Sequence, residues 1–181
     1  MPVLSITPEP LVLPEALSQE AEHLLSEIIQ DEFNQALFAA TLPLEIFETF
    51  ICLDKIYLKH YGLALKQAML CAPNEISRHQ LKLFKADVVS YETDALNAYL
   101  TQSVFTSKPS VSAELNPIIK NYIYHIRGQG NYAQTIAALA PCFWLYASIG
   151  EQFYAQTFLP NHPYAAWIET YRDPLFREAS E

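Results

Sequence analysis

Glycine and basic residues are both scarce in this sequence. Its 181 residues include only four glycines, too few for a protein built mainly from strands joined by tight turns, which rely on residues that tolerate positive φ. Helix is therefore the expected secondary structure. Lysine and arginine number 11 against 20 acidic residues, giving a net charge of -9 without any basic run. This balance argues against nucleic acid or an anionic membrane as a partner and favours a small uncharged or cationic molecule.

Cysteine is also rare, and targeting signals are not evident. Cys52, Cys71 and Cys142 are too few and too far apart for a disulfide framework, and none belongs to a Cys-x-x-Cys pair. They are expected to be reduced thiols. The first residues lack the basic start and long apolar core of a signal peptide, and we expect no apolar run to span a bilayer. The sequence therefore predicts a cytoplasmic protein.

Apolar residues recur in steps of three and four along most of the chain, the spacing of amphipathic helices. The sequence thus predicts an all-α protein, and its length fits one domain with a substantial core. Four prolines within residues 1–14 favour an extended N-terminal arm ahead of a helical domain over residues 15–181. The predicted helices are Glu15 to about Thr41, Pro43 to Ala72, Asn74 or Ser77 to about Leu100, Glu114 to Arg127, Tyr132 to Phe158, and Tyr164 to Tyr171.

Two polar segments are predicted to separate these helices. "TSKPSVSAE" is expected to form the loop before the fourth helix. "GQGN", residues 128–131, is expected to end that helix with a glycine in the left-handed conformation. The second predicted helix is apolar over most of its surface, so it should occupy the centre of the fold.

Pro141 and Cys142 lie about ten residues into the fifth predicted helix. A proline there removes a backbone N–H donor and clashes with the preceding turn, so we expect a kink that costs about 3 kcal/mol. One interpretation is a bend around a curved core, with Cys142 as a small packing residue. The other is that the kink directs Cys142 into a pocket with Tyr146, four residues on and on the same face, where a thiol could attack a ligand.

Asp54 raises a similar choice, because it lies in the most apolar predicted helix. It occupies either a solvent-exposed stripe beside Lys55 or a buried, ligand-facing position, since burial of a carboxylate without a partner is costly. Tyr57 and Tyr61 follow at three and seven residues and share its helix face. The tyrosine cluster Tyr122, Tyr124 and Tyr132 is interpreted as packing at the helix junction.

Three segments in order resemble the TenA family, the thiaminase II type of aminopyrimidine hydrolases. They are "FETFICLDKIYL", "PCFWLYASIG" and "HPYAAWIETY". The resemblance extends from about the first helix to Tyr171. It implies a heme-oxygenase-like bundle of helices without heme, a pocket at the centre of the bundle, no cofactor, and a homo-oligomer such as a dimer or tetramer.

The resemblance also implies hydrolysis of a C–N bond in an aminomethylpyrimidine or in thiamin, as part of thiamin salvage. By this likeness Cys142 is the nucleophile that adds to the pyrimidine ring, and Asp54 binds the amino group and ring nitrogen of the pyrimidine. The remaining implied site residues bind the substrate and line the pocket: Phe47, Tyr57, Tyr146 and Tyr171. Aromatic side chains suit a flat ring, and a carboxylate suits an amino-bearing heterocycle.

The chain departs from the family pattern in three places. It ends ten residues after Tyr171, too soon for the long terminal helix whose glutamate protonates the leaving group in relatives. Ile119 stands where relatives have a tyrosine that supports the cysteine, and Tyr122 could replace it only if the helix were shifted. Leu53 replaces a common glutamine.

Three functions therefore stay open from the sequence. The first is a working hydrolase, and the second is a binding or regulatory member without turnover. The third is a metal-dependent oxidase, suggested by Glu20 and His23 in a Glu-x-x-His motif with Glu27 beyond it. Carboxylate-bridged iron sites in helical bundles need two such motifs or an equivalent set, and this sequence has one. We therefore expect no metal ligands.

Overall fold

The computed structural model of the protein describes residues 15–86, 117–154 and 159–171. These residues form helices and connecting turns without a strand, which confirms the all-α prediction. The N-terminal arm, the "TSKPSVSAE" loop and the end of the third predicted helix lie outside the described residues. The helices are α1 (Glu15–Gln30), α2 (Glu32–Phe38), α3 (Leu44–Leu70), α4 (Glu75–Phe84), α5 (Pro117–Arg127), α6 (Tyr132–Tyr154) and α7 (Ala165–Thr170).

The first predicted helix is two helices, so the prediction of one continuous helix to about Thr41 is wrong. The break lies at Asp31, whose side chain accepts a hydrogen bond from the backbone N–H of Phe33 at 2.9 Å. Asp31 thereby caps the start of α2, a role in which short acidic side chains are favoured. The side-chain amide of Asn34 donates to the carbonyl of Ile28 at 2.7 Å and so satisfies the end of α1. Helical spacing continued through the break, which hid it from the sequence pattern.

Helix α3 is the centre of the fold, as its apolar surface predicted. It packs against α4, α5 and α6, and Pro43 caps its N-terminus in an extended conformation. Side chains along its length are fully buried, among them Phe47, Ile51 and Leu65. Burial of this kind on several sides holds the helix at a fixed position, from which it can present polar groups to a cavity.

Helix α6 continues through Pro141 and packs against α1, α3 and α5. Its stretch Tyr132–Phe153 is long and apolar enough, by length and composition alone, to cross a membrane. The expectation that no apolar run could span a bilayer is therefore wrong as stated. Phe143 and Leu139 of this helix belong to the main core, and Ile149 and Phe153 form a second cluster with Leu25 of α1.

The "GQGN" turn differs from its prediction, because no glycine among the described residues has a positive φ. Gly128 serves a different purpose. Its N–H donates to the carbonyl of Tyr124 at 2.8 Å, and a Cβ at position 128 would lie 2.8 Å from the same oxygen. Glycine is thus required at the end of α5 by a close backbone approach rather than by a left-handed conformation.

Helix α7 closes one side of α3. Its buried residues Trp167 and Ile168 join the main core, and the hydroxyl of Tyr164 donates to the carbonyl of Leu42 at 2.6 Å. The bounds agree with the predicted helix, since Tyr164 and Tyr171 are its two caps.

Candidate functional site

A cavity of about 310 Å³ lies between α3, α5 and α6. Helix α3 contributes one wall, α5 a second, and the middle of α6 around Pro141 the third. Most of the lining is apolar or aromatic, with a carboxyl group, a thiol and phenols among it. The lining residues are Phe50, Leu53, Asp54, Tyr57, Ile119, Tyr122, Pro141, Cys142, Leu145 and Tyr146.

Four of the site residues implied by the sequence resemblance meet at this cavity. Asp54 and Tyr57 come from α3, three residues apart and therefore on one face. Cys142 and Tyr146 come from α6, four residues apart and also on one face. Two helices that are distant in sequence thus direct an acid, a thiol and two phenols into one space.

The other two implied residues lie behind the cavity rather than at its surface. Phe47 is fully buried in the core and packs at 4.2 Å, centroid to centroid, against Tyr164. Tyr171 stacks on Tyr146, with ring centroids 4.7 Å apart and planes 17° apart. Trp167 packs edge-on against both rings of that pair. Tyr171 therefore holds Tyr146 in place and acts on the cavity through it.

Asp54 is a buried carboxyl group, and one of its oxygens lacks a hydrogen-bond partner among the described residues. The residue keeps only 7% of its surface exposed, so the alternative of a solvent-exposed stripe is wrong. Its Oδ2 is fully buried and accepts no hydrogen bond from the residues that the structure describes. Burial raises the pKa of this carboxyl from 3.8 to about 7, because removal from water disfavours its charged form. A ligand carrying N–H groups would supply the missing donors.

The thiol of Cys142 faces two phenols. Tyr57 and Tyr122 stack, with centroids 5.4 Å apart and planes 11° apart. The pKa of the Tyr57 hydroxyl is raised above its ordinary value, mainly by burial and to a smaller extent by the nearby Cys142 and Tyr122. Burial, followed by Cys142, also raises the pKa of Tyr122. The Tyr57 hydroxyl forms no hydrogen bond of good geometry with the described residues. Because the pKa values of Tyr57 and Tyr122 are both raised, both hydroxyls remain protonated beside the thiol.

Cys142 combines the two interpretations that the sequence left open. Its side chain is half-buried and packs against the main core, and it also lines the cavity beside Pro141. Pro141 and Cys142 form the part of α6 that faces the cavity, whereas Leu139, Ala140 and Phe143 line a second cavity of about 260 Å³ between α3, α4 and α6.

Tyr61 does not share the cavity with Asp54 and Tyr57, although its spacing placed it on their face. It lines the second cavity, and its hydroxyl donates to the carbonyl of Leu139 at 3.0 Å. Over seven residues of a long helix, the face drifts enough for a different neighbouring helix to cover it.

Sequence reasoning missed part of the lining and misread Tyr122. That residue was interpreted as packing at a helix junction, yet it lines the cavity and stacks on Tyr57. Ile119 lies one turn before it and lines the same wall. The useful signal was present in the sequence, because a tyrosine three residues after Ile119 projects from the same face of α5. Phe50 and Leu145 carried no distinguishing signal, since apolar residues at helical spacing are usually core.

The metal hypothesis finds little support in the described part of the chain. Within residues 15–86, 117–154 and 159–171, no three His, Cys, Asp or Glu side chains gather closely enough to hold a metal ion. His23 lies 3.7 Å from Glu27 on an exposed face of α1, an arrangement open to solvent.

Known proteins share both the sequence and the fold. The model of the TENA/THI-4/PQQC family matches residues 18–181. The aminopyrimidine aminohydrolase of Bacillus subtilis strain 168 is 28% identical over 156 residues, which cover 82% of this chain and 64% of that protein. The thiamine biosynthesis multifunctional protein ThiED of Corynebacterium efficiens is also 28% identical over 156 residues, covering 86% of this chain and 21% of that protein.

A solved structure, the TenA homologue protein from P. horikoshii OT3, has the same fold, with a TM-score of 0.77 at 24% identity over 91% of this chain and 79% of that chain. This likeness confirms the heme-oxygenase-like bundle that the sequence resemblance implied. The chain spans about a fifth of the length of the Corynebacterium relative and less than two thirds of the Bacillus relative.

Proposed function

Because this chain belongs to the TENA/THI-4/PQQC family, we propose that its cavity binds an aminopyrimidine or thiamin-related compound and that Cys142 takes part in hydrolysing a C–N bond of that ligand. The observation that carries the proposal is Asp54 Oδ2, a buried acceptor at the cavity to which none of the described residues donates. Natural proteins rarely leave such a group unsatisfied, and functional sites are the usual exception. The name of the Bacillus relative, aminopyrimidine aminohydrolase, supports the substrate class.

Recognition of the ring follows from the shape and chemistry of the lining. A single carboxyl group can pair with the exocyclic amino group and the adjacent ring nitrogen of an aminopyrimidine through two parallel hydrogen bonds. One proton is shared between the Asp54 carboxyl and the ring nitrogen. Because the pKa of this carboxyl is about 7, it can hold or release that proton near neutral pH. Tyr57 and Tyr146 line the same space and provide aromatic faces for the ring.

The proposed reaction replaces an amine with water. The sulfur of Cys142 forms a bond to a ring carbon, and the displaced electron pair moves to the ring nitrogen held by Asp54. The ring then forms a double bond to the methylene carbon as the C–N bond of the aminomethyl substituent breaks, and the amine, which has taken the proton of the Cys142 thiol, leaves as ammonia. The hydroxyl of a water molecule adds to the methylene carbon, the C–S bond breaks to restore the ring, and the remaining proton of that water returns to the sulfur.

Tyr57 and Tyr122 are the proton-bearing groups that the structure places beside the thiol. Their raised pKa values keep both hydroxyls protonated at neutral pH, so they can donate hydrogen bonds to sulfur as it gains charge. We assign them this role because, among the described residues, these two phenols are the groups whose pKa values respond to the Cys142 thiol.

The direct test measures release of hydroxymethylpyrimidine from aminomethylpyrimidine and from thiamin. The wild-type protein should release it, and Cys142→Ala should lose at least a hundredfold in rate, the scale expected for a missing nucleophile. Cys52→Ala is the matched control, since Cys52 is another half-buried cysteine and lies outside the cavity lining. Equal rates for wild type and Cys142→Ala would refute the hydrolase assignment.

Ligand binding is measured separately, by thermal stabilisation with the aminopyrimidine. Each variant is compared with its own ligand-free melting temperature. Asp54→Asn preserves the side-chain volume and removes the carboxyl group, so its stabilisation by ligand should disappear, whereas Cys142→Ala should keep it. Binding without turnover in the wild-type protein would assign a binding or regulatory role instead, and absence of both would overturn the proposal. Metal analysis of protein from iron-supplemented medium tests the oxidase alternative.

We further propose that the protein acts in the cytoplasm on a small molecule and assembles as a homo-oligomer. The family relationship and the acidic charge support these assignments.

A further inference from the structure

Helix α1 carries an exposed stripe of alternating leucines and glutamates. We call Leu17, Glu20, Leu24 and Glu27 the acidic stripe. They follow one another in steps of three, four and three residues, so they lie on one helix face. All four are exposed, and the leucines keep 56% and 47% of their surface. Leu25, about 100° further round α1, packs inward against Ile149 and Phe153, so the acidic stripe borders the buried side of the helix and is itself exposed.

Helix α3 carries a matching stripe of the opposite charge. We call Lys59, Leu63, Lys66 and Leu70 the basic stripe, in steps of four, three and four residues. All four are exposed, and Leu70 keeps 84% of its surface. Leu63 keeps 38% of its surface, so two exposed leucines alternate with two lysines along this face.

Charge is segregated along the sequence, so each stripe lies in a segment with charges of one sign. Residues 15–54 contain no lysine or arginine, and residues 55–70 contain no aspartate or glutamate. Glu27 contacts His23 at 3.7 Å. Within the described parts of the chain, Lys59 and Lys66 form no ion pair with a carboxylate, and neither does Glu20 with a lysine or arginine. Each stripe therefore retains charge that an outside partner can neutralise.

We propose that the acidic stripe of one copy of this chain docks on the basic stripe of a second copy. The two stripes have the same composition of two leucines and two like charges, and in each stripe both pairs are seven residues apart. When the two helices run antiparallel, leucine therefore meets leucine and glutamate meets lysine at all four positions along about two to three helical turns. Pairing of two acidic stripes, or of two basic stripes, would place like charges together and is disfavoured.

The proposed contact joins two unlike surfaces. It closes as a two-fold dimer if both stripes of one copy meet both stripes of the other, and as a ring or larger assembly if each copy contacts a different neighbour through each stripe. The contact uses residues outside the cavity, so it does not depend on the proposed hydrolase activity.

The test compares the masses of charge-reversal variants by light scattering after size exclusion. Wild-type protein should have a mass of at least twice that of the 20.6 kDa chain. Glu20→Lys with Glu27→Lys, or Lys59→Glu with Lys66→Glu, should reduce the mass at least twofold. The variant carrying all four changes should recover the wild-type mass, because every pair is restored with reversed sign. Lys82→Glu, exposed on α4 outside the stripes, should leave the mass unchanged.

Salt gives a second readout on the wild-type protein, since raising the ionic strength screens exposed charges and should promote dissociation. A wild-type protein that stays monomeric up to the highest concentration at which it remains in solution would overturn the proposal. An oligomer whose mass is unaffected by either reversal pair, or that is not recovered by the fourfold change, would also overturn it. Circular dichroism confirms that each variant remains helical, which is expected because all four charged positions are exposed.

Discussion

Replacing Asp54 with asparagine should stabilise the ligand-free protein by an amount that grows with pH. The pKa of Asp54 is 3.8 when the chain is unfolded and about 7 when it is folded. Between these values the folded state holds a proton that the unfolded state has released, so stability falls as pH rises. The loss is about 1.4 kcal/mol per pH unit and reaches about 4 kcal/mol once the pH exceeds 7. Below 3.8 both states are protonated and the effect vanishes.

Asparagine cannot ionise, so its own burial cost is the same at every pH. The stability difference between Asp54→Asn and wild type should therefore increase by about 4 kcal/mol from pH 4 to pH 8 and stay constant above that. Urea unfolding at half-unit pH intervals measures it, and all other titrating groups cancel in the difference. Glu45→Gln, an exposed carboxylate on the same helix, controls for the loss of one negative charge. A stability difference that does not change with pH would refute the claim that burial raises the pKa of Asp54.

Two further predictions concern the end of α5 and the contact between α3 and α6. Gly128→Ala should destabilise the protein by about 1 to 3 kcal/mol, because the new Cβ would lie 2.8 Å from the backbone oxygen of Tyr124, whereas at Gly130 its closest neighbour is a flexible side-chain oxygen at 3.6 Å. Gly130→Ala should therefore change stability by less than about 1 kcal/mol, and thermal unfolding that ranks the two variants in the opposite order would contradict this account. Tyr61→Phe should cost about 1 kcal/mol by removing the hydrogen bond to the Leu139 carbonyl, measured by urea unfolding; a loss of zero would mean that this bond adds nothing to stability.

The fold could be predicted from the sequence because its signals are local. Scarce glycine, helical spacing of apolar residues and the apolar surface of α3 each report on a neighbourhood of a few turns. The same locality explains the errors. The break at Asp31 lies within a continuous apolar pattern, so only the capping hydrogen bond to Phe33 reveals it. A glycine of "GQGN" was predicted to take a left-handed conformation, whereas the chain needs glycine at position 128 for a close backbone approach.

The candidate site was predicted in part, and the limit has a physical cause. Resemblance identified Cys142 and Asp54 as site residues, and the structure places both at one cavity. Tyr122 was misread because a tyrosine near a helix junction has the same local pattern whether it packs or lines a cavity. Only the stacking on Tyr57 distinguishes the two.

By itself, the sequence determined the all-α class, the central position of α3, and the pairing of Cys142 with Tyr146 on one helix face. It also determined the segregation of charge between α1 and α3, which is a property of residue order alone. Only the tertiary structure decided that Asp54 is buried with an unsatisfied oxygen. The reason is that burial depends on which helices pack across a residue, and those helices are far away in the sequence. The tertiary structure likewise decided that Tyr171 acts through Tyr146, since ring stacking depends on distances that no local spacing contains.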